Sequence, residues 1–243
     1  MDKPVTWIPY CGVAPSPAEI VGRWNVDPLL ILSLAGLALL WWRWGSANTH
    51  QRYMLLAAAA LLVVLFVSPF CALTSALFSA RAVHHIALTA LVAPLLALAL
   101  PVRRVLGGWG VWTGIHAATF WLWHAPAAYE AALSSHAIYW AMQFSLLLTA
   151  LALWRAVRGA AVTGGIGSLF ATMVQMGLLG ALLTFSTAPL YAPHYLAPFE
   201  WGLTSLEDQQ LAGLIMWAPG AGLYLAAALA LLGRWFAREQ AAA

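Results

Sequence analysis

Seven histidines hold most of the chemistry this chain could do, and they are unevenly spread. His84 and His85 are adjacent, His116 and His124 lie eight residues apart, His136 and His194 follow, and His50 stands alone. Imidazole is the commonest metal ligand and the side chain that moves protons near neutral pH. Soft sulfur accompanies it in Cys11, Cys71, Met142, Met173, Met176 and Met216. Imidazole, thiolate and thioether together suit Cu(I). Each of these residues also has a plainer reading. A single interfacial histidine is more often structural than a ligand, and methionine more often fills a core. Cys11 and Cys71 could equally form a disulfide. Carboxylates gather in Glu207-Asp208-Gln209-Gln210. There they would cap a helix start and complement its dipole, or Asp208 would orient a neighbouring histidine.

The elements that must position these groups are apolar helices. The chain is 63% hydrophobic and only 8% charged, with a mean hydropathy of +0.82. Soluble domains carry about a quarter charged residues. The apolar residues come in runs of bilayer-spanning length, not in the alternation of a β-barrel. The reading is an all-α membrane bundle with helices at 28–44, 53–76, 82–102, 111–126, 137–156, 166–188 and 209–233. Residues 1–27 form a cap, 28–233 the seven-helix bundle and 234–243 a tail. Trp41, Trp42, Trp44, Trp121, Trp123, Trp201 and Trp217 stand near helix ends as interfacial anchors. The polar start, Met1-Asp2-Lys3-Pro4, reads as no cleavable signal, so the first hydrophobic helix is expected to direct insertion.

Charge then orients the bundle. Arg43, Arg52, Arg103, Arg104, Arg155, Arg158, Arg234 and Arg238 fall on one side, leaving Lys3, Arg23 and Arg81 on the other. Short arginine-rich loops stay in the cytoplasm, so the N-terminus is expected outside and the C-terminus inside. Of the acidic residues only Glu239 falls inside. His84, His85, His124, His136 and His194 then gather near the outer interface, with His116 deeper and His50 cytoplasmic. His116 and His124 point within about 80° of each other on their helix, and His84 and His85 diverge by about 100°. Polar groups inside spans usually face the bundle interior. The basic excess belongs to this topology and does not imply nucleic acid. Walker, dinucleotide, nucleophile-elbow and His-Glu-x-x-His patterns are absent. Lys3 is the only lysine, which excludes a retinal Schiff base within the bundle.

Several segments, in order, resemble the CtaG family of cytochrome c oxidase assembly factors, linked to caa3-type oxidases. They are Pro9-Tyr10-Cys11-Gly12, Arg23-Trp24-Asn25-Val26-Asp27-Pro28, and Ser68-Pro69 with Leu73-Thr74-Ser75-Ala76-Leu77-Phe78-Ser79. His85 with Pro94, Trp121-Leu122-Trp123-His124-Ala125-Pro126 and Tyr129-Glu130-Ala131-Ala132-Leu133 follow. Thr184-Phe185-Ser186, Pro189-Leu190-Tyr191 and the run from Leu206 through Asp208-Gln209-Gln210 to Met216-Trp217 complete the match.

The resemblance implies a non-enzymatic, multi-pass protein of the bacterial inner membrane that helps copper reach an oxidase. Its partners would be cytochrome c oxidase subunits and the lipid bilayer. The implied working set is His85, His124 and Asp208, with Met216, Cys71 and His84 as additions. Imidazoles would hold Cu(I), the carboxylate would orient one of them, and sulfur would favour the reduced ion. Two positions depart from the pattern: Arg81 stands where family members often have a histidine four before His85, and Trp140 or Ala141 replaces another. Competing readings are a haem- or quinone-linked redox protein using His85 and His124 as opposed ligands, a transporter, and a metal-independent scaffold docking oxidase subunits. Paired discontinuous helices, which would favour a transporter, are not evident.

Overall fold

A computed structural model of the chain describes residues 7, 9–44, 48–100 and 105–242. Lys3, Asp2, Arg103 and Arg104 from the charge reading lie outside these residues, as do the side chains of Trp41, Trp42 and Trp44. The fold is all-α and 81% helical, with no strand among the described residues. The helices are α1 (Pro28–Trp44), α2 (Thr49–Phe66), α3 (Pro69–Ala76), α4 (Phe78–Ala99), α5 (Trp109–His124), α6 (Pro126–Ser134), α7 (His136–Gly159), α8 (Val162–Thr184) and α9 (Ser205–Ala242). Among the described residues five, α2, α4, α7, α8 and α9, are long and apolar enough to cross a bilayer. The apolar helices α1 and α5 are shorter, at 17 and 16 residues.

Local chemistry explains where the boundaries depart from the expected ones. The span expected at 53–76 is two helices. Ser68 accepts from the Phe70 amide at 3.2 Å, and Pro69 occupies the first turn of α3, where its missing N–H costs nothing. The helix expected from 82 begins at Phe78, which takes Arg81 out of a loop and into α4. The last helix starts at Ser205 because Thr204 and Glu207 form a reciprocal capping box.

The central helix is α4. Of its most apolar stretch 61% is buried, against 17% in α2. Its Ala87–Val92 segment is a π-helix, and Pro94 supplies the reason. The Ala93 amide bonds to the Leu88 carbonyl, so the Thr89 carbonyl would look to Pro94, which has no N–H. The Trp154 indole of α7 donates to that orphaned carbonyl at 2.9 Å. A second π segment, Met216–Gly220, surrounds Pro219 in α9 and packs against α4. Helices α8 and α9 cross where glycines meet: a Cβ on Gly213 would lie 2.5 Å from the Gly180 carbonyl, so no larger residue fits.

One end of the bundle is closed by a cap made of the N-terminal segment, α3, α6 and the loop from Phe185 to Thr204. A Cys11–Cys71 disulfide ties the N-terminal segment to α3. Asn25 adds bonds to the Phe66 and Val67 carbonyls at 3.0 and 2.9 Å, and the Trp201 indole donates to the Pro15 carbonyl at 3.1 Å.

Candidate functional site

Beneath this cap the bundle buries an unusual amount of polar chemistry. Arg81, His84, His85, His124, His194 and Asp208 are all 4% exposed or less. These groups fall into two sets, one fully partnered and one not.

The partnered set fastens the cap to α4. Helix α4 opens at Leu77, which has no side chain able to cap it. Asp208 from α9 does that work. Its carboxylate accepts from the Phe78 amide at 2.6 Å, the Ser79 amide at 3.1 Å and the Ser79 hydroxyl at 2.5 Å. Charge-assisted bonds to a helix N-terminus are strong, and they satisfy amides that would otherwise be orphaned. Asp208 therefore holds α4 by its end. Its bonds go neither to its own helix, which Thr204 and Glu207 cap, nor to an imidazole.

His194 is the second fastener. The Ala76 carbonyl, 3.2 Å from Nδ1, can only accept, so Nδ1 carries the proton. Nε2 then accepts from the Tyr129 hydroxyl at 2.7 Å. Burial holds His194 down at about 3, against the pull of the Ala76 carbonyl, and the nearby Arg81 adds to the depression. Burial likewise pushes the Tyr129 hydroxyl far above its usual range, so it remains a donor. Tyr191 donates to the His124 carbonyl at 2.7 Å and stacks on Phe78 at 3.9 Å between ring centres.

The unpartnered set lies on α4 and α5. Both ring nitrogens of His85 are buried without a hydrogen-bond partner. Its ring meets His124 edge to face, centre to centre 5.6 Å. The Phe120 carbonyl lies 2.7 Å from His124 Nδ1 and fixes the proton there, which leaves Nε2 as a lone pair in a neutral ring. Two imidazoles sharing one ion at about 2 Å from each nitrogen need ring centres roughly 6 Å apart. The pair is close to that separation. His84 diverges as expected: it packs edge-on to Phe66 at 4.9 Å and parallel to Phe70 at 6.3 Å. Neither of its nitrogens makes a hydrogen bond of normal geometry, although the Leu65 carbonyl stands beside it.

Arg81 lies one turn before His85 on α4 and is 0% exposed. Nη2 donates to the Thr74 carbonyl at 3.2 Å, and the guanidinium sits 5.4 Å from the centre of the Tyr139 ring. Nε and Nη1 have no partner of normal geometry, although the Tyr129 and Tyr139 hydroxyls lie near. No carboxylate pairs with Arg81 among the described residues. A buried guanidinium without a counter-ion costs several kcal/mol of desolvation, and it places a fixed positive charge beside the His85–His124 pair.

The remaining expected ligands are placed as follows. Cys71 is bonded to Cys11, so it offers no thiolate, and of the two readings open in the sequence the disulfide is the one realised. Met216 is buried in the π segment of α9. His116 meets Thr149 of α7 at 3.0 Å, and His136 stacks edge-on against Tyr10 at 5.4 Å. Among the described residues no three His, Cys, Asp or Glu side chains converge as a metal site would require. Sequence reasoning gave no role to Tyr129, Tyr139 or Tyr191 and placed Arg81 just outside its helix. The i, i+4 spacing of Arg81 and His85 was the signal that they share a helix face.

No curated protein and no solved structure matches the chain significantly. The family described as cytochrome c oxidase caa3 assembly factor (Caa3_CtaG) matches residues 31–238, from within α1 to the last turns of α9. The chain therefore belongs to the caa3 cytochrome c oxidase assembly factors.

Proposed function

We propose that this assembly factor is a non-enzymatic carrier that holds Cu(I) briefly between His85 and His124 and passes it to an oxidase subunit. The observation that carries this reading is the pair itself. His85 has two unpartnered, buried nitrogens, and the free Nε2 lone pair of His124 belongs to a ring centred 5.6 Å away. Two neutral nitrogen ligands suit a monovalent, low-coordinate ion. Arg81 would weaken binding by charge repulsion, which fits a site that must release its cargo. In this reading α1 and α5 also cross the bilayer, giving seven spans in a bacterial inner membrane. Arginine asymmetry then puts the cap and the N-terminus outside and the C-terminus in the cytoplasm.

A second reading has its own observation. Arg81 occupies the place on α4 where a third ligand would stand, and a buried cation opposes any metal. The cap would then act as a metal-independent scaffold for oxidase subunits. Oxidase assembled in cells carrying His85→Ala or His124→Ala separates the two. The carrier reading expects oxidase protein that is present but copper-depleted, whereas copper-replete oxidase in both variants contradicts it and favours the scaffold.

A further inference from the structure

We propose that the gap between α1 and the rest of the bundle binds the ring of a prenylated quinone or quinol. Among the described residues α1 is the one long helix that packs closely on no other. It is tethered mainly at its start. The Tyr10 hydroxyl donates to Asp27 at 2.5 Å, and Asn25 bonds to the end of α2. Below this tether a cavity of about 330 Å³ separates α1 from α2, α4 and α7. That lies within the range of small-molecule sites, about 300–1,000 Å³.

Below Tyr10 and Asp27 at its mouth, the cavity is apolar except at one depth. Gln143 lines it from α7, is 2% exposed, and has no hydrogen-bond partner for either Oε1 or Nε2. A buried amide with both ends unpaired calls for a ligand able to serve it. Ser33 lines the cavity from α1. Tyr10 touches both Asp27, beside the start of α1, and His136, at the start of α7, so the two helices begin at one level. Ser33 then lies about 9 Å and Gln143 about 10 Å below that level, at 1.5 Å per residue. The two residues line the cavity at the same depth.

That depth selects the ligand. A phospholipid keeps its phosphate and ester carbonyls at the interface, beside Asp27, so only methylenes would reach Gln143. A quinone ring is neutral, resides within hydrocarbon, and carries oxygens on opposite edges. One oxygen would accept from Gln143 Nε2 and the other from the Ser33 hydroxyl. In the quinol the first edge can donate to Gln143 Oε1 instead. Trp140 stacks on Phe144 and Phe66 with ring centres 5.3 and 5.5 Å apart, and all three line the cavity. They form an aromatic wall suited to a flat ring. The leucines of α1 and α2 would flank the prenyl tail. Among the described residues Asp27 is the only charged one in the lining and stands at its mouth, which fits a neutral ligand.

The test is a titration of the full chain, in phosphatidylcholine nanodiscs, with decylubiquinone followed by tryptophan quenching. Gln143→Leu and Leu34→Trp are run in parallel, with helical content checked for each. Saturable binding by the unsubstituted protein is expected, at least tenfold weaker in Gln143→Leu and lost in the filled cavity of Leu34→Trp. Unsaturable quenching by the unsubstituted protein overturns the proposal, as does equal binding by Gln143→Leu. A phospholipid retained one-to-one and not displaced by decylubiquinone also overturns it.

Discussion

His194 and His85 are both buried beneath the cap, yet one has a partner for each ring nitrogen and the other has none. The same contrast separates Asp208, which accepts from three donors, from Arg81, which leaves two nitrogens unpaired. A folded protein satisfies nearly all its buried polar groups. The satisfied set is therefore explained by folding, because it locks the cap and α9 onto the first turn of α4. The unsatisfied set costs stability, so it is the place to look for function. Removing a member of the first set should loosen the fold, whereas removing a member of the second should leave it intact or strengthen it.

The largest effect is expected at Asp208. Asp208→Ala strips the cap from α4 and leaves buried amides unpaired, which should cost about 3 kcal/mol. Thermal unfolding in detergent should show a markedly lower Tm, and an unchanged Tm would break the division into two sets.

Arg81 should move stability the other way. Arg81→Met replaces an unpaired buried cation with an apolar chain and should raise stability by about 1–2 kcal/mol. It should also tighten Cu(I) binding about tenfold, near 1.4 kcal/mol, by removing the repulsion. Destabilisation by Arg81→Met would show that the tyrosines and the Thr74 carbonyl pair it fully.

The third effect is a pH dependence. The folded His194 titrates at about 3 whereas the unfolded one titrates near its usual 6.5. Between those values the unfolded chain binds the extra proton, so this contribution to stability is complete above pH 6.5 and is lost as pH falls toward 3. His194→Gln should flatten that part of the Tm-against-pH curve. A curve of unchanged slope would remove His194 from the fastening set.

Much of this contrast was invisible in the sequence, for definable reasons. The apolar runs of α4, α7 and α8 announce themselves because a bilayer demands length and composition. The divergence of His84 and His85 follows from helical geometry alone. The Ser68-Pro69 break carried a signal, a cap residue followed by proline, that a long hydrophobic run outweighed. Asp208 reads as the cap of its own helix because its true target lies 130 positions earlier in the chain. His194 depends on how a loop folds over α3 and α6, which no local pattern records. Arg81 sits at the edge of an apolar run, where charge normally means surface. Its burial follows from α4 beginning at Phe78, and α4 begins there because Asp208 caps it.

Whether the His85–His124 pair holds copper is decided by anaerobic titration of the purified protein with Cu(I), with His85→Ala, His124→Ala and His84→Phe in parallel. One equivalent is expected to bind to the unsubstituted protein, to be lost in the first two variants and to be kept in His84→Phe, because the His84 ring packs against Phe66 and Phe70. Failure of the well-folded, unsubstituted protein to bind, or binding that survives both alanine substitutions, would contradict the carrier reading.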